Sequence, residues 1–366
     1  MEVTLLNISN CPVSSYNEWD FLEEVIVGNV QGAIYPYLDI INKWTFPQED
    51  LKTIEKIFIP GTYYPEELVA AAEKDLNGFI HILESEGVTV RQVTPLDCSK
   101  PYSTPAWEIQ GGFCAANPRD VFLVVGHEII EAPMADRSRY FEAWSYRPLL
   151  REYFQAGAKW TAAPKPQLLD KQYNFNFQFA KPGEKLNFVV NEFEPVFDAA
   201  DFVRCGRDIF GQRSHVTNQL GIEWLKRHLG DEYRIHILES LYPYNVHIDT
   251  SFMPLAPGKV LVNPKFINID TLPKILKSWD ILIAPEPNYT PQVKLNLMSD
   301  WIGINVLMLD EKRVVVEKSQ EALIKSLKDW GFKTILCEFE NYYPFLGSFH
   351  CATLDVRRRG RLQSYF

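Results

Sequence analysis

The sequence predicts an α/β fold built as a closed ring of five small blades, each a ββαβ module. Three observations carry this expectation. Apolar strand-like runs alternate with amphipathic helical stretches five times along the chain. Hairpin-like pairs of runs precede most of the helical stretches, which implies mixed sheets. No G-x-G-x-x-G opens a helix, as the commoner doubly wound dinucleotide fold would require. Closing the array into a ring also removes exposed strand edges. Residues 1–366 are read as one domain, although about 150 residues per domain would allow two.

The modules follow in chain order. A helical pattern from Pro65 to Gly87 leads into Val88-Thr89-Val90. Val121 to Val125 pairs with Glu128-Ile129-Ile130, and a helix from Ser138 to Gly157 precedes Trp160-Thr161-Ala162. Asn218 to Gly230 is the third helix and precedes Arg234-Ile235-His236-Ile237. Thr250-Ser251-Phe252 pairs with Val260-Leu261-Val262, followed by a helix over Leu272 to Trp279 and the strand Ile281-Leu282-Ile283. The last copy is the clearest. Asn305 to Leu309 and Arg313 to Glu317 flank the polar loop Asp310-Glu311-Lys312. Ser319 is the expected N-cap, Leu323, Ile324 and Leu327 stand at helical spacing, and Gly331 ends the helix before Thr334-Ile335-Leu336-Cys337. Such a ring brings loops from all five modules to one centre, where side chains distant in sequence can meet.

Composition limits the partners. Hydrophobic residues make up 46% and charged residues 23%, as in an ordinary globular chain. The longest apolar runs, such as Val121 to Val125, are too short to span a membrane. Lys plus Arg is 37 and Asp plus Glu is 47, a formal charge of −10, which disfavours nucleic acid. Arg357-Arg358-Arg359 with Arg361 is read as a salt-bridged or solvated cluster. The six cysteines, Cys11, Cys98, Cys114, Cys205, Cys337 and Cys351, form no C-x-x-C pair and read as reduced thiols. With no leader pattern at Met1-Glu2-Val3-Thr4, a cytoplasmic location is expected. No metal-ligand spacing or phosphate loop occurs, so no metal and no cofactor is expected.

Two short segments could carry chemistry, Asn245-Val246-His247-Ile248-Asp249 and Gly347-Ser348-Phe349-His350-Cys351. A free cysteine is only a few per cent thiolate at neutral pH and needs a base or a positive environment. A histidine held by a carboxylate is the usual supplier. Cys351 as a buried apolar residue and His247 as a structural histidine is the competing reading. Asp198 sits in the apolar run Phe197 to Phe202, Asp120 precedes an apolar strand, and Asp249 lies two residues after His247, on the same side of a strand. Several carboxylates beside a thiol suit a planar cation, because a guanidinium matches carboxylates bidentately. His81, His127, His215, His228, His236 and His350 read as structural.

At this point the sequence resembles the arginine amidinotransferases. The resemblance covers essentially the whole chain and rests on long runs. They are Asn17-Glu18-Trp19-Asp20 with Leu22 to Gly28, Glu128-Ile129-Ile130-Glu131-Ala132-Pro133-Met134, Phe197 to Phe202, His247-Ile248-Asp249, and Phe349-His350-Cys351 with Leu354 to Gly360. It implies a five-bladed α/β propeller of the pentein type. It also implies Cys351 as nucleophile, His247 as general acid and base, and Asp198 as the carboxylate orienting that histidine. Asp120 and Asp249 would bind the guanidinium of arginine, and Ser299 the amino-acid end of the donor.

Where the glycine-acting members have an arginine for a substrate carboxylate, this chain has Phe266, with Lys265 as the neighbouring candidate. Tyr244 and Val246 replace an Asn and a Met on the acceptor side. The chain is in this respect more similar to members of toxin and antibiotic pathways, such as the saxitoxin amidinotransferase. The implied reaction is ping-pong covalent catalysis. The amidino group of L-arginine passes through amidino-Cys351 to a primary amine, and ornithine is released. The imidazole would serve both halves with a pKa near 6.5. Glycine as acceptor, giving guanidinoacetate, and an arginine deiminase-type hydrolase are the alternatives, with a non-catalytic binding protein of the same fold behind them. The resemblance also implies a homodimer.

Overall fold

Five three-stranded sheets repeat one connection, and the computed structural model describes them over residues 11–47, 51, 59–181, 183–288 and 299–366. The readings at Met1 to Thr4 lie outside the described residues. The first sheet contains β1 (Phe21–Val27) and β2 (Thr89–Gln92), parallel to each other and joined through the helix Glu66–Ser85. A small hairpin, β3 (Tyr102–Ser103) with β4 (Glu108–Ile109), stands apart. The second sheet is β5 (Phe122–Val125), β6 (Glu128–Glu131) and β7 (Lys159–Ala162). The third is β8 (Phe202–Cys205), β9 (Asp208–Gln212) and β10 (Arg234–Leu238). The fourth is β11 (Phe252–Ala256), β12 (Lys259–Val262) and β13 (Asp280–Ile283). The fifth is β14 (Leu307–Met308), β15 (Arg313–Glu317) and β16 (Lys333–Cys337). In sheets two to five the first pair is antiparallel and the third strand parallel to the second.

Closure comes from the far end of the chain. β17 (Thr353–Arg359) pairs antiparallel with β1, from Phe21 opposite Arg359 to Val27 opposite Thr353, and so supplies the first strand of the first blade. The fold is therefore the five-bladed α/β propeller expected from the alternation. Its innermost strands β5, β8 and β11 are buried at every residue, because both faces meet neighbouring blades. In the third strands β2, β7 and β13 two half-buried residues lie between exposed ends, and β10 and β16 repeat this with one buried residue added at the far end. Apolar side chains fill the spaces between blades, with Phe122, Phe197 and Phe202 in one such cluster. Full burial of one such side chain contributes about 2–3 kcal/mol.

Local endings follow from the sequence. After the helix Glu66–Ser85, Gly87 takes φ +86°, its N–H donates to Glu84 O (3.0 Å), and Val88 N–H donates to Leu83 O (2.9 Å). That pair of bonds is a Schellman stop, which glycine makes without a Cβ penalty.

Three expected elements differ. The stretch Ser138 to Gly157 is two 3-10 turns, Arg137–Arg139 and Glu142–Tyr146, and then an α-helix at Arg147–Gln155 with Pro148 in its first turn. Leu272 to Trp279 holds only a 3-10 turn, Lys274–Ser278, following Pro273, too short for an α-helix to gain from. Ser319 is not the N-cap: Gln320 is, and the Ser319 hydroxyl donates to Glu340 Oε1 instead (2.5 Å).

Candidate active site

One register governs the centre of the ring. Just before each innermost strand the chain makes a short helical turn, and the residues there point a polar side chain inward. Asp120 stands two residues before β5, Asp198 four before β8, and Asp249 three before β11, with His247 beside it. Asn305 stands two before β14 and Cys351 two before β17. Residues separated by as many as 231 positions thus line one cavity. Its wall includes Asp120, Asp198, His247, Asp249, Ser299, Cys351, Tyr244 and Val246.

Cys351 is buried in a turn that is heavily bonded. Ala352 N–H donates to Ser348 O (2.8 Å), and Thr353 Oγ1 donates to Phe349 O (2.8 Å). Gly347 is required nearby, since a Cβ there would lie 2.2 Å from Asn117 Oδ1 and 2.9 Å from the Cys351 Cβ. The thiol donates to Asp249 Oδ2 at 3.4 Å. Burial pushes the thiol well above its ordinary range, and the charges of Asp249 and Asp120 push it further the same way.

His247 has φ +53°, which is uncommon for a residue with a Cβ and marks local strain. The expectation that His247 and Asp249 share a face of a strand is corrected, because Ile248–Thr250 is a 3-10 turn. The imidazole nevertheless reaches the pocket. Its Nε2 lies 3.1 Å from Asp198 Oδ2 and its Nδ1 3.5 Å from Asp120 Oδ1. Burial alone would lower the imidazole pKa, but Asp120, Asp198 and Asp201 outweigh it and raise it to about 10. A pKa near 6.5 is therefore corrected for the ligand-free protein, in which His247 is an imidazolium at neutral pH.

The carboxylates are more numerous than their partners. Burial raises the Asp120 carboxyl above its usual value, against the opposing pull of His247 and Arg139. Asp249 is lowered despite burial, because the His350 ring bonds it at 2.8 Å. Three carboxylate oxygens, Asp120 Oδ1, Asp198 Oδ1 and Asp249 Oδ1, are buried without a hydrogen-bond partner. A buried carboxylate oxygen without a partner is uncommon and calls for an explanation. The arrangement can hold a planar multidonor cation against a thiol, with an acidic imidazole alongside.

Several residues of this site escaped the sequence reading. Arg139 Nη1 lies 3.0 Å from Asp120 Oδ2 and 3.6 Å from Asp198 Oδ2, while its Nε and Nη2 donate to Glu142 at 2.7 and 2.8 Å. Asn305 donates to Cys351 Sγ at 3.2 Å. His350, read as structural, bridges the buried carboxylates Asp249 and Glu18. For Asn305 the position two places before an innermost strand is shared with Asp120 and Cys351, but its contact with Cys351 has no local signal, and Arg139 has no such position.

Two expected site residues lie elsewhere. Phe266 is buried outside the cavity wall, its ring stacked on Tyr242 with centroids 3.9 Å apart, and Tyr242 is the one that lines the cavity. Lys265 points to solvent and pairs with Glu286 at 3.3 Å. Ser299 is in the wall, and its hydroxyl also accepts from Trp301 N–H at 3.2 Å. Met298 beside it lies outside the described residues. Among the described residues no helix is long and apolar enough to cross a membrane.

No family model matches the chain. It is 49% identical over 362 residues to an L-arginine:L-lysine amidinotransferase of Pseudomonas savastanoi pv. phaseolicola, covering 98% of each chain. It is 44% identical over 371 residues to the mitochondrial glycine amidinotransferase of Danio rerio, covering 97% of this chain and 85% of that one. Among solved structures, the amidinotransferase of the saxitoxin biosynthetic pathway from Microseira wollei shares 72% identity. Its TM-score is 0.96, over 97% of this chain and 100% of that one.

Proposed function

The chain belongs to the arginine amidinotransferase family, and on that premise we propose that its donor is L-arginine and that Cys351 carries the amidino group. It is a transferase acting on small molecules; the roles given to individual residues are our reading. The observation that carries it is the pair Asp120 and Asp249, which share one cavity with a buried thiol and each keep a buried oxygen without a hydrogen-bond partner. A guanidinium offers five N–H donors in a rigid plane and suits that pair.

The steps follow from the charges. The donor guanidinium rests against Asp120 and Asp249, with Ser299 toward its amino-acid end, and offsets the two carboxylates that hold the thiol up. Cys351 Sγ then bonds to the guanidino carbon, the bond from that carbon to the δ-nitrogen breaks, and the His247 imidazolium protonates the departing amine. The thiol's proton passes to Asp249 and on to the same amine, so ornithine leaves as its ammonium and His247 is left neutral. A primary amine, entering as its ammonium, next gives one proton to His247 and one through Asp249 to the sulfur as it bonds to the amidino carbon; the C–S bond breaks, and the thiol and the imidazolium are restored. Asp198 holds the imidazole for both halves through its bond to Nε2. General acid–base help of this kind is worth about 10²–10⁴ in rate.

The acceptor side favours an amine of the toxin-pathway type over glycine. Neither Phe266 nor Lys265 lines the cavity, whose wall Tyr244 and Val246 help to form, and the arginine that lines it among the described residues, Arg139, is paired with Asp120 and Glu142. We take residues 1–366 as one domain working as a cytoplasmic homodimer, which light scattering of the purified protein would test. The test of function is incubation of the purified protein with arginine and a panel of amines. Ornithine release that depends on an amine other than glycine is expected. Citrulline from arginine alone would favour a hydrolase, and glycine accepted as well as any other amine would overturn the acceptor reading.

A further inference from the structure

The fifth blade contributes to the centre of the ring at the same register as the others, and what it contributes is an amide. Asn305 follows the 3-10 turn Asp300–Ile304 and precedes β14 by two residues, as Asp120 precedes β5 and Cys351 precedes β17. It is fully buried. Its Oδ1 accepts from the backbone N–H of His350 (3.0 Å) and of Cys351 (3.1 Å). Those two donors settle the orientation of the amide, because exchanging oxygen and nitrogen would set an NH₂ group against two N–H groups. With the oxygen fixed, Nδ2 faces Cys351 Sγ at 3.2 Å.

We propose that Asn305 is a catalytic group whose amide N–H stabilises the Cys351 thiolate in both half-reactions, a role that rests on Cys351 being the nucleophile. The carboxylates beside that sulfur are unfavourable to its charge. Asp249 accepts from the thiol and becomes a like charge once the proton is gone, and Asp120 lies behind it. The Tyr342 hydroxyl is a neutral neighbour, and the His350 ring is spent on Asp249 and Glu18. His247 is engaged with Asp198. The Ser348 backbone favours the thiolate, and Asn305 is the side-chain donor that reaches Sγ among the described residues. A hydrogen bond to an anion is roughly twice as strong as the same bond to a neutral atom, so this contact strengthens as the proton leaves. It weakens when the sulfur becomes amidinated and strengthens again when the sulfur departs.

Three variants test this. Asn305→Asp keeps an oxygen for the two backbone donors and removes the amide donor, Asn305→Ala removes both, and Asn305→Ser restores a short donor. The expected result for Asp and Ala is a kcat lowered about 10- to 100-fold with KM for arginine within about two-fold. The acid limb of the pH profile of kcat/KM should move up by about one pH unit, and Asn305→Ser should recover part of the loss. Unchanged turnover, a loss with an unmoved pH profile, or three variants that all fail to fold would each overturn the proposal. Mass spectrometry of the unmodified enzyme with arginine runs alongside: absence of an amidino adduct on Cys351 would sink the proposed function itself.

Discussion

Two clusters of buried charge meet at the centre of this propeller, and they are finished differently. In the first, Arg204 donates to Glu18 (2.8 Å from both Nε and Nη2), to Asp355 (2.7 Å), to Ser15 Oγ (2.8 Å) and to Val124 O (2.8 Å). Arg119 and Arg358 also pair with Asp355, and one Arg119 nitrogen, Nη2, is left without a partner. In the second, Asp120, Asp198 and Asp249 each line a cavity and each keep a buried oxygen without a hydrogen-bond partner. His350 joins the two, bonding Glu18 on one side and Asp249 on the other. The contrast teaches where the framework stops. A buried ion cluster that is nearly complete holds blades together, whereas the one left short of donors lines the cavity where we propose that the donor binds.

The comparison breaks first at its extremes. His247→Asn should lower kcat by about 10²–10⁴, on the order of 3–5 kcal/mol, with little change in folding stability at high pH; steady-state kinetics beside urea unfolding would measure both. Asp355→Asn should do the reverse. It leaves three arginines short of a counter-charge and should cost about 3–5 kcal/mol of stability, read from the urea midpoint.

Acid and base should separate the clusters. Arg119, Arg204 and Arg358 overcome burial and hold Asp355 well below the usual carboxylate range, and Arg204, His350 and Arg119 do so for Glu18. Their stabilisation is complete above about pH 4 and is lost as the pH falls. His247 runs the other way. Its pKa is raised to about 10, so the folded state binds the extra proton between about pH 6.5 and that value. Its contribution is complete below about 6.5 and lost as the pH rises through about 10, on the order of a few kcal/mol. Unfolding free energies from pH 6 to 10 should therefore fall in the unmodified protein and stay flatter in His247→Asn. The smallest effect belongs to Lys265→Ala, whose exposed pair with Glu286 should be worth less than about 1 kcal/mol, with turnover unchanged.

Much of the fold was legible because burial leaves a periodic trace. β5, with four consecutive buried apolar residues, and the helix ending at Gly331 read directly from the chain. Cys351, His247, Asp198, Asp120 and Asp249 were legible through resemblance, and the structure brings all five into one cavity. What stayed hidden depends on contacts between distant segments. Arg139 looked like part of an ordinary helix, yet it turns inward to Asp120 and Glu142, and the helix restarts only at Arg147. Asn305 meets Cys351 across 46 residues, and no local pattern announces that. Phe266 and Lys265 aligned with a substrate-binding position, but stacking on Tyr242 takes one out of the cavity wall and solvation takes the other.

The most direct test is mass spectrometry of the protein incubated with arginine and no acceptor. The unmodified chain should gain one amidino group on the peptide containing Cys351, and Cys351→Ser should gain none while folding normally. An adduct that persists in Cys351→Ser, or one that maps to another cysteine, would contradict the account.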